Sequence, residues 1–112
     1  MLNISAQDIY FYREPVNMHR SFDGLSYLIE KSFPGQLLTG SLFVFVNRRR
    51  NKMKVLYWNS DGLALWYKRL ERGTFSIDKS GKTQLTRREF FMLLEGIKAR
   101  RMNRRFSLEK AT

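Results

Sequence analysis

Between Gly40 and Phe75 the chain reads GSLFVFVNRRRNKMKVLYWNSDGLALWYKRLERGTF, three apolar runs separated by short polar breaks. The runs have strand length and the breaks have hairpin length, so this stretch is held to a small antiparallel sheet. LFVFV at 42–46 is apolar at every position, which predicts a strand buried on both faces. Asn47 to Lys52 is too polar for a core and reads as a hairpin loop. MKVLYW (53–58) and LALWYKRL (63–70) flank NSDG, whose Asp61-Gly62 pair is a strong turn signal. Alternation then sets Lys54, Leu56 and Trp58 on one face of their strand and Met53, Val55 and Tyr57 on the other.

The flanks supply helices. IYFYR at 9–13 has strand character and is interrupted by Pro15. Ser21 can cap a helix over 22–33, where Phe22, Leu25, Leu28, Ile29 and Phe33 recur at helical spacing before Pro34-Gly35 stops it. Asp23 and Lys31 lie at the ends that suit the helix dipole. After Gly73 a short run, FSI at 75–77, precedes a turn at KSGK (79–82). Thr86 and Glu89 have capping-box spacing and open a second helix, with Phe90, Phe91, Leu93, Leu94 and Ile97 as a broad apolar face. The expected fold is a small single α+β domain over residues 1–97, an antiparallel β-meander of three to five strands packed with two helices. Residues 98–112, beginning KARRMNRR directly after Ile97, are expected as a basic helical extension or flexible tail.

Charge is distributed unevenly. Residues 1–47 carry three basic against four acidic side chains, net −1, whereas residues 48–112 carry 18 against 6, net +12. Such a cationic half points to a polyanionic partner. The 43% apolar content, with nine Phe, five Tyr and two Trp, excludes wholesale disorder. With no cysteine there is neither a disulfide framework nor a thiolate zinc site. The longest apolar run is too short to span a bilayer and the N-terminus lacks a signal-peptide pattern, so no membrane partner and a cytoplasmic location are expected.

Candidate catalysts are sparse. His19, the single histidine, has no cysteine and no serine motif beside it and is expected at the surface leading into the helix. The acids have structural explanations: Asp23 at a helix start, Asp61 in a turn, Glu71 among Lys68, Arg69 and Arg72, and Glu89 in a cap. A restriction-type nuclease core would want an acid two residues before a strand lysine, and at Lys68 that position is Trp66. Gly62, Gly73 and Gly81 are isolated turn glycines rather than a phosphate loop, so no cofactor is expected.

Two basic clusters remain, one running from Arg48 through Lys52 to Lys54 and the other spanning Lys68 to Arg72. Guanidinium forks and ammonium groups are the side chains that hold phosphate. Arg48, Arg49, Arg50, Lys54, Lys68, Arg69 and Arg72 are the expected phosphate contacts. Tyr67, which precedes Lys68-Arg69, is the aromatic best placed for exposure and for a stacking or sugar contact. Tyr57, Trp58 and Trp66 read instead as core and sheet residues.

FDGL at 22–25, LFVF at 42–45, NRR at 47–49, KVLYW at 54–58, DG at 61–62, YKRLERG at 67–73 and LLEG at 93–96 together resemble one bacterial family. The chain is similar to TnpB, the second-frame accessory protein of the insertion-sequence-sixty-six class of transposable elements, over about residues 16–97. Family members usually carry an acidic-Met-Arg-Lys lead-in before FDGL; here those positions are Asn17, Met18, His19 and Arg20. The resemblance implies a part in DNA transposition beside a larger transposase that carries the acidic catalytic triad. The expected function is therefore a non-enzymatic DNA-binding accessory protein, its partners being DNA, at element ends or held by the transposase, and the transposase itself. The alternatives are an interaction protein whose basic face binds the transposase, and a small metal-dependent nuclease.

Overall fold

A computed structural model describes residues 8–95. Its elements in chain order are β1 (Ile9–Phe11), α1 (Phe22–Ser32), β2 (Leu42–Val46), β3 (Lys52–Asn59), β4 (Gly62–Arg69), β5 (Gln84–Leu85) and α2 (Arg87–Leu94). The three apolar runs form the antiparallel meander β2–β3–β4, in register at Val44–Val55 and Val55–Trp66. β1 adds to the meander in parallel, Tyr10 opposite Phe43, because α1 carries the chain back across the sheet between them. β5 then pairs antiparallel with β1, giving one mixed sheet in the order β4-β3-β2-β1-β5. The class is α+β, and the parallel β1–β2 pair is the feature that a simple meander lacks.

One helix packs on each face of this sheet. Leu25 and Ile29 of α1 bury against Phe43, Phe45 and Leu56. Phe90 and Leu93 of α2 bury against Val44, Val46, Met53 and Val55. This sandwich explains why all five residues of β2 are buried although successive side chains point to opposite faces. The predicted alternation of β3 holds, with Met53 and Val55 facing α2 while Leu56 faces α1. Fully burying a Phe or Leu contributes about 1.5–3 kcal/mol, so the two small cores together dominate stability.

Several local expectations change in detail. The short run FSI at 75–77 has no regular structure, yet Phe75 is fully buried and its N–H donates to the Arg50 carbonyl at 2.7 Å. The strand of this region lies further on, at β5. Ser21 precedes α1, but its side chain makes no capping bond; its carbonyl accepts from the Leu25 N–H at 2.8 Å. At the NSDG turn the left-handed residue is Ser60, with φ 59°, and Gly62 already belongs to β4. The Thr86–Glu89 capping box is present, Glu89 N–H donating to Thr86 Oγ1 at 3.1 Å and Thr86 N–H to Glu89 Oε1 at 2.8 Å. The apolar face of α2 is narrower than expected, since Phe91 is exposed. Ile97 and the basic segment 98–112 lie outside the described residues.

Candidate nucleic-acid interface

The β2–β3 loop presents its arginines on a framework set by asparagine. Asn47 Oδ1 accepts from the Asn51 and Lys52 N–H groups, both at 3.0 Å, while its Nδ2 donates to Asn51 Oδ1 at 2.8 Å. These bonds replace the strand ladder inside the loop and leave Arg48, Arg49 and Arg50 exposed. Arg50 is left-handed at φ 61°, a conformation uncommon outside glycine and asparagine.

Facing this loop is the strap that joins β1 to α1. Val16 anchors it, its side chain in the core and its N–H donating to the Val46 carbonyl at 3.0 Å. Lys54 anchors the next turn. Its Nζ donates to the carbonyls of Met18 at 2.7 Å and Arg20 at 2.8 Å, and lies 4.8 Å from the centre of the Tyr67 ring. Two carbonyls and an aromatic face are the surroundings a charged ammonium requires. Burial pushes the Lys54 pKa below the ordinary lysine value. Lys54 is only 6% exposed and two of its three donors are bonded to the strap, so it holds the strap and does not stand free like the arginines of its cluster.

Strap and loop enclose an open cleft of about 820 Å³. His19, Arg48, Arg49 and Lys52 line it together with Asn17, Asn47 and Tyr67, and none of the described lining residues is acidic. Tyr67 is half exposed and offers this cleft an aromatic surface whose ring also meets the Lys54 ammonium. Arg69 is two residues further along β4, on the same face as Tyr67, and opposite Lys52 in register. It pairs with Glu71 at 3.0 Å, both side chains being largely exposed, an arrangement worth little to stability.

The remaining expected contacts lie elsewhere. Arg50 lines a separate, smaller hollow with Arg13 and Glu14. Lys68 points to the opposite face of the sheet, where its Nζ approaches the Leu94 carbonyl at the end of α2 at 3.4 Å. Arg72 is exposed in the turn after β4. The chain after β4 is bonded to the β2–β3 loop through Leu70 N–H to Asn51 O at 2.8 Å and Phe75 N–H to Arg50 O, so both basic clusters meet at one end of the sheet. Sequence reasoning missed the strap as the second wall of this cleft, because its residues carry no short-range spacing that places them beside the β2–β3 loop.

The geometry is thus a cationic, aromatic cleft. Among the described residues no group of three His, Cys, Asp or Glu side chains is placed to hold a metal ion, and no helix is long and apolar enough to cross a membrane. The family described as "IS66 Orf2 like protein" matches residues 7–104. The chain belongs to that family. Membership in the IS66 Orf2-like family implies an accessory role in IS66 transposition. A relative, "Uncharacterized protein y4jC" of Sinorhizobium fredii (strain NBRC 101917 / NGR234), is 30% identical over 94 residues, covering 82% of this chain and 80% of its own. No solved structure matches the chain. The match to the IS66 Orf2-like family takes in both walls of the cleft as well as the sheet beneath it.

Proposed function

We propose that this protein is a non-enzymatic DNA-binding accessory factor of IS66 transposition, with the strap–loop cleft as its contact to the phosphate backbone. The observation that carries this reading is the convergence of Arg48, Arg49 and Lys52 around one cleft that also holds Tyr67 and, among the described residues, has no acidic lining. Phosphate held there would meet guanidinium and ammonium groups without a competing carboxylate. Arg69, beside Lys52, extends the strip along β4. Contacts of this kind orient a protein on nucleic acid and carry no sequence information themselves, which suits a factor acting beside a transposase.

The non-enzymatic part of the proposal rests on what the acids do. Asp78 pairs with Arg13 at 3.1 Å, Glu71 with Arg69, and Glu89 closes the α2 cap. The test is a titration of the full chain against element-end DNA, random duplex DNA and RNA, with and without the transposase of the same element. Binding to DNA alone, weakened by salt, supports the proposal. Binding that follows the transposase and ignores free DNA would replace it with a protein-interaction role, and Mg²⁺-dependent cleavage by the purified chain would overturn the non-enzymatic assignment.

A further inference from the structure

The sheet order leaves β4 at an edge, hydrogen-bonded on one side to β3. Among the described residues, no backbone bond outside the β3 ladder reaches positions 62–69. Natural edge strands are guarded by shortness, charged side chains such as lysine, proline, bulges, or a covering helix or loop. Among the described residues GLALWY has none of these: β4 is eight residues long, it pairs with β3 residue for residue, and its charges come only at its end, Lys68 and Arg69. An edge with this character is a template for another strand.

The strand is also complementary to itself. A two-fold axis through Leu65, perpendicular to the sheet, sets Leu63 opposite Tyr67 of a second copy on the α1 face, and brings Asp61, in the turn that leads into β4, level with Arg69. On the α2 face the same register sets Ala64 opposite Trp66, small against large, and Gly62 opposite Lys68. Each of these pairs occurs twice, and none opposes like charges. Moving the axis by one residue, to Trp66, would instead bring Asp61 against Glu71. We infer that β4 is a self-association edge, two copies joining antiparallel about Leu65 into one continuous sheet. Arg69, whose bond to Glu71 is exposed, then turns to Asp61 of the second copy. The two clefts lie on the same face of the joined sheet, since the axis preserves its faces.

The absence of cysteine from the chain gives a direct test. Leu65→Cys sits on the axis and should cross-link to itself under mild oxidation, giving a disulfide-linked dimer as the main species. Asp61→Cys should give at least roughly tenfold less, because the two copies of residue 61 are about 26 Å apart along the strands at ~3.3 Å per residue. Sedimentation of the full chain carries the second arm. Asp61→Arg and Arg69→Asp should each raise the dimer dissociation constant roughly 2- to 30-fold, two lost pairs at the ordinary strength of cross-strand charge pairs, and the double variant should restore it. These exposed substitutions leave the core intact, so this arm stands even if Leu65→Cys fails to fold. A wild-type chain that stays monomeric at all concentrations would overturn the inference. So would equal cross-linking at positions 61 and 65, or a dimer indifferent to both charge reversals. A monomer whose edge is covered by its own residues 96–112, which follow closely on the Leu94–Lys68 contact, would give the first of those results.

Discussion

Replacing Lys54 by Met separates the two roles that a lysine in a basic cluster can have. The methionine keeps the length of the stem and removes the ammonium, with its bonds to the Met18 and Arg20 carbonyls and its approach to the Tyr67 ring. Two hydrogen bonds from a charged donor contribute about 1.5–3 kcal/mol each, and the ring about 0.5–1 kcal/mol. Against this stands the desolvation of a buried charge, several kcal/mol, which the methionine no longer incurs. The freed carbonyls lie on a strap with exposed residues at Asn17, His19 and Arg20, so water can reach them. We expect a net loss of about 2 kcal/mol, which for a domain of about 100 residues lowers Tm by about 8–16 °C. Hydrogen exchange should accelerate most at the strap amides, such as that of Arg20, which donates to the Asn17 carbonyl at 3.0 Å. DNA affinity should fall because one wall of the cleft loosens, not because a phosphate contact is lost. Thermal melts and exchange mass spectrometry measure both effects. A Lys54→Met protein with wild-type Tm and wild-type strap protection, but a salt slope reduced by about 0.9, would refute this reasoning and return Lys54 to the phosphate contacts.

Two further outcomes follow from local geometry. The Glu89 carboxylate is held below its ordinary range by the Thr86 N–H and by Lys82. A depressed acid stabilises the fold fully above its unfolded pKa, near 4.5, and that contribution disappears as pH falls through the folded value. Acid titrations of stability should therefore show a decline below about pH 4.5 that Glu89→Gln flattens, and Thr86→Ala should cost about 1 kcal/mol at neutral pH. A Glu89→Gln acid limb identical to wild type would contradict the assignment. Asn47→Ala removes the acceptor of two loop N–H groups without altering charge. It should lower Tm by several degrees and weaken DNA binding while leaving the salt slope intact, which fluorescence anisotropy across a salt series can measure.

Local signals were the most legible part of this chain. The β2–β3–β4 hairpins, the double-sided burial of LFVFV, the β3 alternation and the Thr86–Glu89 box all follow from spacing over a few residues. What spacing could not give was long-range placement. β1 joining β2 in parallel depends on where α1 returns the chain, and β5 is too short, at two residues, to carry a pattern. The full burial of Phe75 depends likewise on a long-range bond, from its N–H to the Arg50 carbonyl of the β2–β3 loop. The site divided on the same principle. Arg48, Arg49 and Tyr67 were legible as exposed cations and an aromatic beside them. Lys54 was not, since its partners are carbonyls 36 and 34 residues away, and a basic residue in a cluster looks the same whether its head meets phosphate or backbone. Lys68 is exposed, and what spacing did not show is that its head lies by the end of α2.

The salt dependence of DNA affinity, measured for the wild-type chain and for Arg48→Gln/Arg49→Gln/Lys52→Gln together, bears most directly on the cleft as the DNA contact. Arg48 and Arg49 are exposed and Lys52 half-buried, so the triple variant should remain folded, with Tm changed by only a few degrees. If each side chain neutralises one phosphate, the slope of log affinity against log salt should shrink by about 2.7, at ~0.9 per phosphate, and affinity at low salt should fall with it. A folded triple variant with the wild-type slope and affinity would contradict the account and place the DNA contact away from this cleft.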